Sequence, residues 1–160
     1  MDLELTGKTV LVTGGTDGLG LALATQLAAE GAAVGVCGRD QERLRNAEET
    51  VQAVGGDVLA QRADVSRAED LEAFVEAAVT RWGRIDGVVH NAGRASGGSI
   101  ETIFNPVAAV EIAVEKGAAS ILMPISSRRQ LNDLSDDVAA KITIHYYLDA
   151  RDALLKALAI

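Results

Sequence analysis

Apolar runs alternate with amphipathic stretches along the whole of this 160-residue chain. Short apolar runs predict buried strands, and longer segments with apolar residues at helical spacing predict helices. The pattern predicts strands at residues 10–12, 34–37, 58–63, 85–90, 121–125 and 142–147. Strands that alternate with helices imply right-handed βαβ units. We therefore predict an α/β fold: one domain spanning residues 1–160, built as a three-layer, doubly wound parallel sheet of about six strands.

Capping residues and glycines delimit the predicted helices. A helix at 19–30 ends before Gly31, and Asp40 caps a helix at 41–54. Ser66 with Glu69 three residues later forms a capping box that opens a helix reaching residue 82. Asp149 caps the last helix.

The alternation of strand and helix patterns is interrupted at residues 94–104, RASGGSIETIF, which we predict to be a loop or a loop with a short strand. Beyond it, Asn105 as cap and Pro106 at the first helical position predict a helix that Gly117 closes. Residues 127–137 predict a short polar helix.

The charge balance excludes two classes of partner. The chain carries 15 basic and 23 acidic residues, a net charge of −8, which repels nucleic acid and anionic membranes. Its one cysteine, Cys37, lies in an apolar run and predicts a buried, inert thiol and a reducing compartment. Neither a leader peptide nor an apolar run of ~18 residues is visible, so we expect a cytoplasmic protein. The sequence is also compatible with a homo-oligomer.

The first predicted strand runs into a glycine-rich turn and then a helix, with Gly14, Gly18 and Gly20 in the order T-G-x-x-x-G-x-G. A helix N-terminus offers unpaired N–H groups and a positive dipole end, and glycine lets a phosphate approach the backbone. The turn therefore predicts a phosphate site, with a purely structural tight turn as the alternative.

Three motifs in order resemble the cofactor-binding half of the short-chain dehydrogenase/reductase family over residues 1–96. They are residues 13–20, TGGTDGLG, then Ala63-Asp64-Val65, then Asn91-Ala92-Gly93. The resemblance implies a Rossmann-like fold and a bound dinucleotide, with the glycines at the pyrophosphate, Asp64 and Val65 at the adenine, and Asn91 and Gly93 near a ribose. The implied cofactor-binding residues are Gly14, Thr16, Asp17, Gly18, Leu19, Gly20, Arg39, Asp64, Val65, Asn91, Ala92 and Gly93.

Cofactor choice depends on the end of the second strand, Cys37-Gly38-Arg39-Asp40. An acid there suits the ribose hydroxyls of NAD, whereas an arginine suits the 2′-phosphate of NADP. Arg39 therefore predicts NADP(H), with NAD(H) as the alternative. We interpret Asp40 as a helix cap rather than a ribose ligand.

The family's catalytic set, a serine and a Y-x-x-x-K pair, is missing. Tyr146 is followed four residues later by Ala150, and Tyr147 by Arg151. Ser127 follows a strand, as the family's serine does, but Tyr147 is twenty residues further on. We therefore predict no catalytic residue and a dinucleotide-binding domain without dehydrogenase activity. The alternatives are an oxidoreductase with an atypical site, using Tyr147 with Arg151 or a partner chain, and a structural protein without a ligand.

Residues 97–160 resemble the C-terminal end of Lon-type protease domains. The similarity lies in ILMP at 121–124, the polar segment at 128–134 and DALLKAL at 152–158. The lysine of that family would fall near Val107, so we predict no peptidase activity. Two such halves meeting at Gly97-Gly98 suggest a chimera, with natural divergence of a dehydrogenase as the alternative. His145 has no partner at metal-ligand spacing, and we predict no metal site.

Overall fold

Six strands form one parallel sheet within the residues that the computed structural model describes, 4–91, 95–96, 99–100 and 106–159. The order across the sheet is β3-β2-β1-β4-β7-β8, and β5 and β6 form a separate antiparallel pair. This is the predicted Rossmann-like, doubly wound arrangement. The strands are β1 (Thr9–Thr13), β2 (Ala33–Gly38), β3 (Val58–Arg62), β4 (Gly87–His90), β5 (Ala95–Ser96), β6 (Ser99–Ile100), β7 (Ser120–Pro124) and β8 (Thr143–Tyr147).

Helices connect the parallel strands and cover both faces of the sheet, as right-handed crossovers require. In addition to the α-helices, a 3-10 helix spans Ile125–Asp133 after β7. The α-helices are α1 (Gly18–Ala29), α2 (Gln41–Ala53), α3 (Ala68–Trp82), α4 (Pro106–Glu115), α5 (Asp136–Ala139) and α6 (Ala150–Ala157).

Alternate residues of each strand pack into two separate apolar clusters. Leu11 of β1 faces a cluster that includes residues of α3 and α4, whereas Val10 and Val12 face a cluster that includes residues of α1 and α6. This alternation follows from the two-residue period of a strand. It produces the predicted three layers, with the sheet in the middle.

Two local predictions are wrong. Ser66 does not cap α3: the helix begins one residue later, after Arg67, without a side-chain cap, and the Ser66 N–H and hydroxyl donate to Asp64 Oδ1, at 3.0 and 2.7 Å. The polar helix expected at 127–137 is a 3-10 helix followed by the short α5. Its serines, asparagine and aspartates have weak α-helix propensity. The predicted cap Asn105 and most of residues 94–104 lie outside the described residues.

Asp86 ties the start of β4 to the start of β1. Its carboxylate accepts from the Thr9 N–H at 2.9 Å and from Arg84 Nε at 2.9 Å, and its side chain is 15% exposed. Burial by itself would raise the pKa of Asp86, but the bonds from Arg84 and Thr9 outweigh it and hold that pKa below its usual value. The ionised carboxylate therefore stabilises the fold above the ordinary pKa of aspartate, and this stabilisation is lost as pH falls through the lower folded-state pKa.

We expect Asp86→Asn to lower the free energy of unfolding by about 2 kcal/mol at pH 7, because a charge-assisted pair and a backbone partner are lost. Urea denaturation at pH 7 and at pH 3 tests this. The gap between variant and wild type should narrow at pH 3, because this pH lies below the ordinary pKa of aspartate and the carboxylate is then mostly protonated in the unfolded chain. Asp133→Asn, on the exposed side of the 3-10 helix, should change stability by less than about 0.5 kcal/mol. An equal loss for Asp86→Asn at both pH values would contradict the assignment.

Candidate functional site

The strand order of the sheet reverses beside β1, which is where open α/β sheets form a ligand-binding crevice. From β1 the chain proceeds outward to β2 and β3, and it then crosses to β4 on the other side of β1. Ligands of open α/β sheets bind at the carboxyl ends of the strands beside such a reversal. Thr13 ends β1 there, in register with Cys37 of β2 and His90 of β4. Those predicted cofactor residues that the structure describes lie in the segments that follow or adjoin these strand ends.

The turn between β1 and α1 needs glycine for two different reasons. Gly14 and Gly18 have φ of 65° and 50°, in the left-handed region where a side chain is strained. A Cβ on Gly18 would meet no atom within 4 Å, so this part of the turn faces open space. A Cβ on Gly20 would instead overlap the Gly14 carbonyl oxygen and lie 2.8 Å from Asn91 Nδ2. Gly20 therefore allows α1 to pack closely against the turn.

The other residues of the turn cap and anchor it. Asp17 is the N-cap of α1: its Oδ1 accepts from the Gly18 N–H at 2.7 Å, and its Oδ2 lies 3.4 Å from Arg43 Nη1. The positive charge of Arg43 thus offsets the carboxylate at the entrance to the helix. Thr16 packs against the end of β2, where a Cβ on Gly38 would lie 2.8 Å from Thr16 Cγ2.

Asn91 connects the end of β4 to three neighbours. Its backbone N–H donates to Thr13 Oγ1 at 3.1 Å, its Nδ2 lies beside Gly20, and its Oδ1 accepts from the Tyr147 hydroxyl at 3.0 Å. These contacts place Asn91 between β1, the glycine turn and β8, while its contact with a ribose stays a prediction. Ala92 and Gly93 lie outside the described residues.

His90 is a hydrogen-bonded core residue. It is fully buried, and its Nδ1 lies 2.9 Å from Thr13 Oγ1. The contact joins the last residues of β1 and β4, which places a hydrogen-bonded pair under the crevice.

Asp40 has the capping role predicted for it at the end of β2, whereas the role predicted for Arg39 is a contact with a ligand. Asp40 caps α2, because its Oδ1 accepts from the N–H groups of Glu42 and Arg43 at 2.9 and 3.0 Å. These bonds, led by that from Arg43, hold the pKa of Asp40 below its usual value. Arg39 is exposed, and its carbonyl oxygen accepts from Arg62 Nε at 3.1 Å. Two guanidinium groups thus belong to neighbouring strand ends, while whether Arg39 contacts a 2′-phosphate stays a prediction.

Asp64 follows β3 on the same edge of the sheet. The hydroxyl and N–H bonds from Ser66 lower the pKa of Asp64, and the charges of Arg39 and Arg67 lower it further. The carboxylate is therefore ionised near neutral pH and can accept a hydrogen bond from an amino group. Its neighbour Val65 is buried.

Tyr147, the candidate proton donor, makes a structural contact within the part of the chain that the structure describes. Tyr147 is 2% exposed, burial raises its pKa well above the usual value, and its hydroxyl donates to Asn91 rather than meeting Arg151. Arg151 is exposed in the first turn of α6. Tyr146 is half-buried against the opposite apolar cluster. Of the two tyrosines, Tyr147 is thus a core residue and Tyr146 is only partly buried.

Three other residues singled out from the sequence, Ser127, Val107 and Cys37, are buried or half-buried. Ser127 is fully buried, and its Oγ has no hydrogen-bond partner among the described residues. Val107, at the position of the Lon-type lysine, is half-buried in α4 and packs against the α3–α4 cluster. Burial raises the pKa of Cys37 to about 12, which confirms the buried, inert thiol.

Neither a metal site nor a membrane-spanning helix occurs in the part of the chain that the structure describes. Across residues 4–91, 95–96, 99–100 and 106–159, no three histidine, cysteine or acidic side chains are grouped to hold a metal ion. Over the same ranges, no helix has the length and apolar character needed to cross a membrane.

Comparison with known families identifies the class of protein. The sequence profile of the family described as short chain dehydrogenase matches residues 8–115, which is more than half of the chain. The chain belongs to the short-chain dehydrogenase family, whose members bind a dinucleotide, NAD(H) or NADP(H).

Curated relatives match the N-terminal part. A protein of Streptomyces violaceoruber, named for the ketoacyl reductase of granaticin polyketide synthase, is 45% identical over 93 residues, which are 58% of this chain and 34% of the relative. The 11-beta-hydroxysteroid dehydrogenase A of Sesamum indicum is 37% identical over 101 residues, which are 62% of this chain and 29% of the relative. The chain thus spans about a third of the length of these relatives.

Solved structures match over a larger share of the chain. Levodione reductase is 30% identical, with a TM-score of 0.61, over 86% of this chain and 62% of that one. A metagenomic short-chain oxidoreductase in complex with NADP is 26% identical, with a TM-score of 0.61, over 86% of this chain and 71% of that one. An Escherichia coli hydroxysteroid dehydrogenase, with a TM-score of 0.72 over 89% of this chain and 74% of that one, is 20% identical and supports the fold alone.

The comparisons give no support to a Lon-like segment or to a chimera. The family profile continues past the expected junction at Gly97-Gly98 to residue 115. The similar structures also cover most of the chain, so its later strands fit within the same fold. The short resemblance at 121–158 contained no catalytic group, and packing of a parallel strand and its helix is sufficient to explain its pattern of apolar residues.

Proposed function

We propose that this chain binds NADP(H) in the crevice at the carboxyl ends of β1, β2 and β4. The observation that carries the proposal is the glycine turn. It opens into free space at Gly18, and Asn91 closes its other side at Gly20. The turn lies at the start of α1, where backbone N–H groups and the helix dipole favour a pyrophosphate.

The residues around the crevice supply the remaining contacts of a dinucleotide. We assign Gly14, Gly18 and Gly20 to the pyrophosphate and Asn91 to the neighbouring ribose. The turn residues Thr16, Asp17 and Leu19 shape the same segment, and Ala92 and Gly93 belong to the proposed set by their place in the motif. Asp64 and Val65 are assigned to the adenine and Arg39 to the 2′-phosphate. NADP in the complex of the metagenomic relative supports this choice of cofactor.

We further propose that bound cofactor is not used for dehydrogenation, and that the chain has no peptidase activity. The cofactor supplies hydride transfer when a substrate oxygen is held and protonated beside it. The chain has two tyrosines, neither followed by a lysine four residues later. The Tyr147 hydroxyl, moreover, is buried on Asn91 and has a raised pKa.

Titration with NADPH, followed by its fluorescence, tests the binding proposal. We expect saturable binding at micromolar NADPH, and weaker binding of NADH. No binding at millimolar cofactor would refute the proposal.

The proposed inactivity is tested separately, with NADPH oxidation in the presence of a panel of ketones and quinones. We expect no turnover above the enzyme-free rate. Turnover that disappears in Tyr147→Phe would contradict inactivity and establish an atypical reductase.

A further inference from the structure

We propose that Tyr147 is a positioning residue of the proposed cofactor site: its hydroxyl fixes the side-chain amide of Asn91 against the glycine turn. The consequence for NADP(H) affinity rests on the proposed function. The contact itself does not, because it concerns how three parts of the folded chain are held together.

The tyrosine is held in place by its surroundings. Tyr147 is the last residue of β8, where it is in register with Pro124 of β7, and its ring lies in the apolar cluster of α1 and α6. Its 2% exposure leaves the ring little freedom. The hydroxyl therefore has a defined position, 3.0 Å from Asn91 Oδ1, beyond the end of the intervening strand β7.

The Gly14 carbonyl oxygen selects one of the two orientations of the Asn91 amide. This oxygen and Asn91 Nδ2 both lie close to the position that a Cβ on Gly20 would occupy, the nitrogen at 2.8 Å. In the flipped amide, Oδ1 would face the carbonyl oxygen, and two acceptors would oppose each other. In the observed orientation Oδ1 faces Tyr147 and accepts from its hydroxyl. Because a phenolic hydroxyl can donate or accept, the contact with Tyr147 holds the amide in place without choosing its orientation.

Loss of the hydroxyl should loosen the side chain without displacing the backbone. The Asn91 N–H remains bonded to Thr13 Oγ1, so the end of β4 keeps its place. The amide, however, gains rotamer freedom that cofactor binding must then remove. Because one net hydrogen bond is at stake, we expect Tyr147→Phe to weaken NADPH binding about fivefold.

The neighbouring tyrosine offers a matched control. Tyr146→Phe removes the same atom from the adjacent residue, whose ring packs against the cluster of α3 and α4. We expect Tyr146→Phe to leave NADPH affinity unchanged. A double-mutant cycle completes the titration: in an Asn91→Ala background, Tyr147→Phe should have no further effect on affinity. If Tyr147→Phe also weakens NADPH binding fivefold in the Asn91→Ala background, its effect does not act through Asn91, and the proposal is overturned.

NMR spectroscopy of the cofactor-free protein provides a second test, which does not depend on NADPH binding. In the wild-type protein, the Asn91 side-chain NH2 protons should show stronger nuclear Overhauser effects to the Gly20 α-protons than to the Tyr147 ring. In Tyr147→Phe, the Asn91 NH2 signals should shift and the Gly20 backbone amide should exchange faster, whereas Tyr146→Phe should change neither. Stronger effects from NH2 to the Tyr147 ring would overturn the proposal even if Tyr147→Phe does not fold. A wild-type chain that does not bind NADPH refutes the proposed function, and the NMR arm still decides the role of Tyr147.

Discussion

Gly20→Ala is expected to weaken NADPH binding by about 100-fold or more, and to lower the free energy of unfolding by about 2 kcal/mol. A Cβ at this position would overlap the backbone of Gly14 and lie 2.8 Å from Asn91 Nδ2. Because the obstructing atoms belong to the turn itself, α1 and the turn must move apart. The N–H groups of the turn could then no longer meet the pyrophosphate while the Asn91 amide meets the neighbouring ribose.

NADPH titration and urea denaturation measure the two effects separately. Gly83→Ala is the control, since Gly83 ends α3 with φ of 73° and a Cβ there would meet nothing within 4 Å. Its strained backbone should cost about 1 kcal/mol of stability, and NADPH affinity should stay unchanged. Wild-type affinity in Gly20→Ala would show that the close approach of α1 to the turn does not shape the site.

Arg39→Asp is expected to change the ratio of NADPH to NADH affinity by about 100-fold in favour of NADH. Arg39 is exposed at the end of β2, and the Arg62 guanidinium donates to its carbonyl oxygen. A guanidinium forms strong, charge-assisted hydrogen bonds with a phosphate, whereas a carboxylate repels the 2′-phosphate and can accept from the ribose hydroxyls.

Competition between the two cofactors at low ionic strength measures this ratio, because salt screens an exposed pair. Arg45→Asp makes the same change of charge at an exposed position on α2 and should leave the ratio within about twofold. If the two variants behave alike, the net charge of the chain and not the position of Arg39 determines cofactor preference.

The regular elements could be predicted because their signals are local. Runs such as residues 10–12 have few alternatives to a buried strand, and the caps Asp40 and Asp149 lie directly before their helices. The glycine turn was predictable for the same reason, since left-handed φ at Gly14 and Gly18 limits the residue type.

The remaining features of the fold and the site could not be predicted, because most of them depend on contacts between distant parts of the chain. Tyr147 and Asn91 are 56 residues apart, and no pattern along the sequence joins them. Arg43 meets Asp17 across 26 residues for the same reason. Ser66 satisfies the capping-box pattern, in which the Glu69 side chain would accept from the Ser66 N–H. Asp64, two residues before Ser66, accepts from that N–H and from the Ser66 hydroxyl instead. A local motif could not reveal that competition.

The position of Cys37 makes the single thiol of this chain a natural reporter of sheet opening. β2, which contains it, is hydrogen-bonded to β1 on one side and β3 on the other, and Cys37 is fully buried. With a pKa of about 12, almost none of the thiol is in its reactive thiolate form near neutral pH. Alkylating reagents can therefore reach it only when β2 separates from its neighbours, and the rate of alkylation reflects how often the centre of the sheet opens.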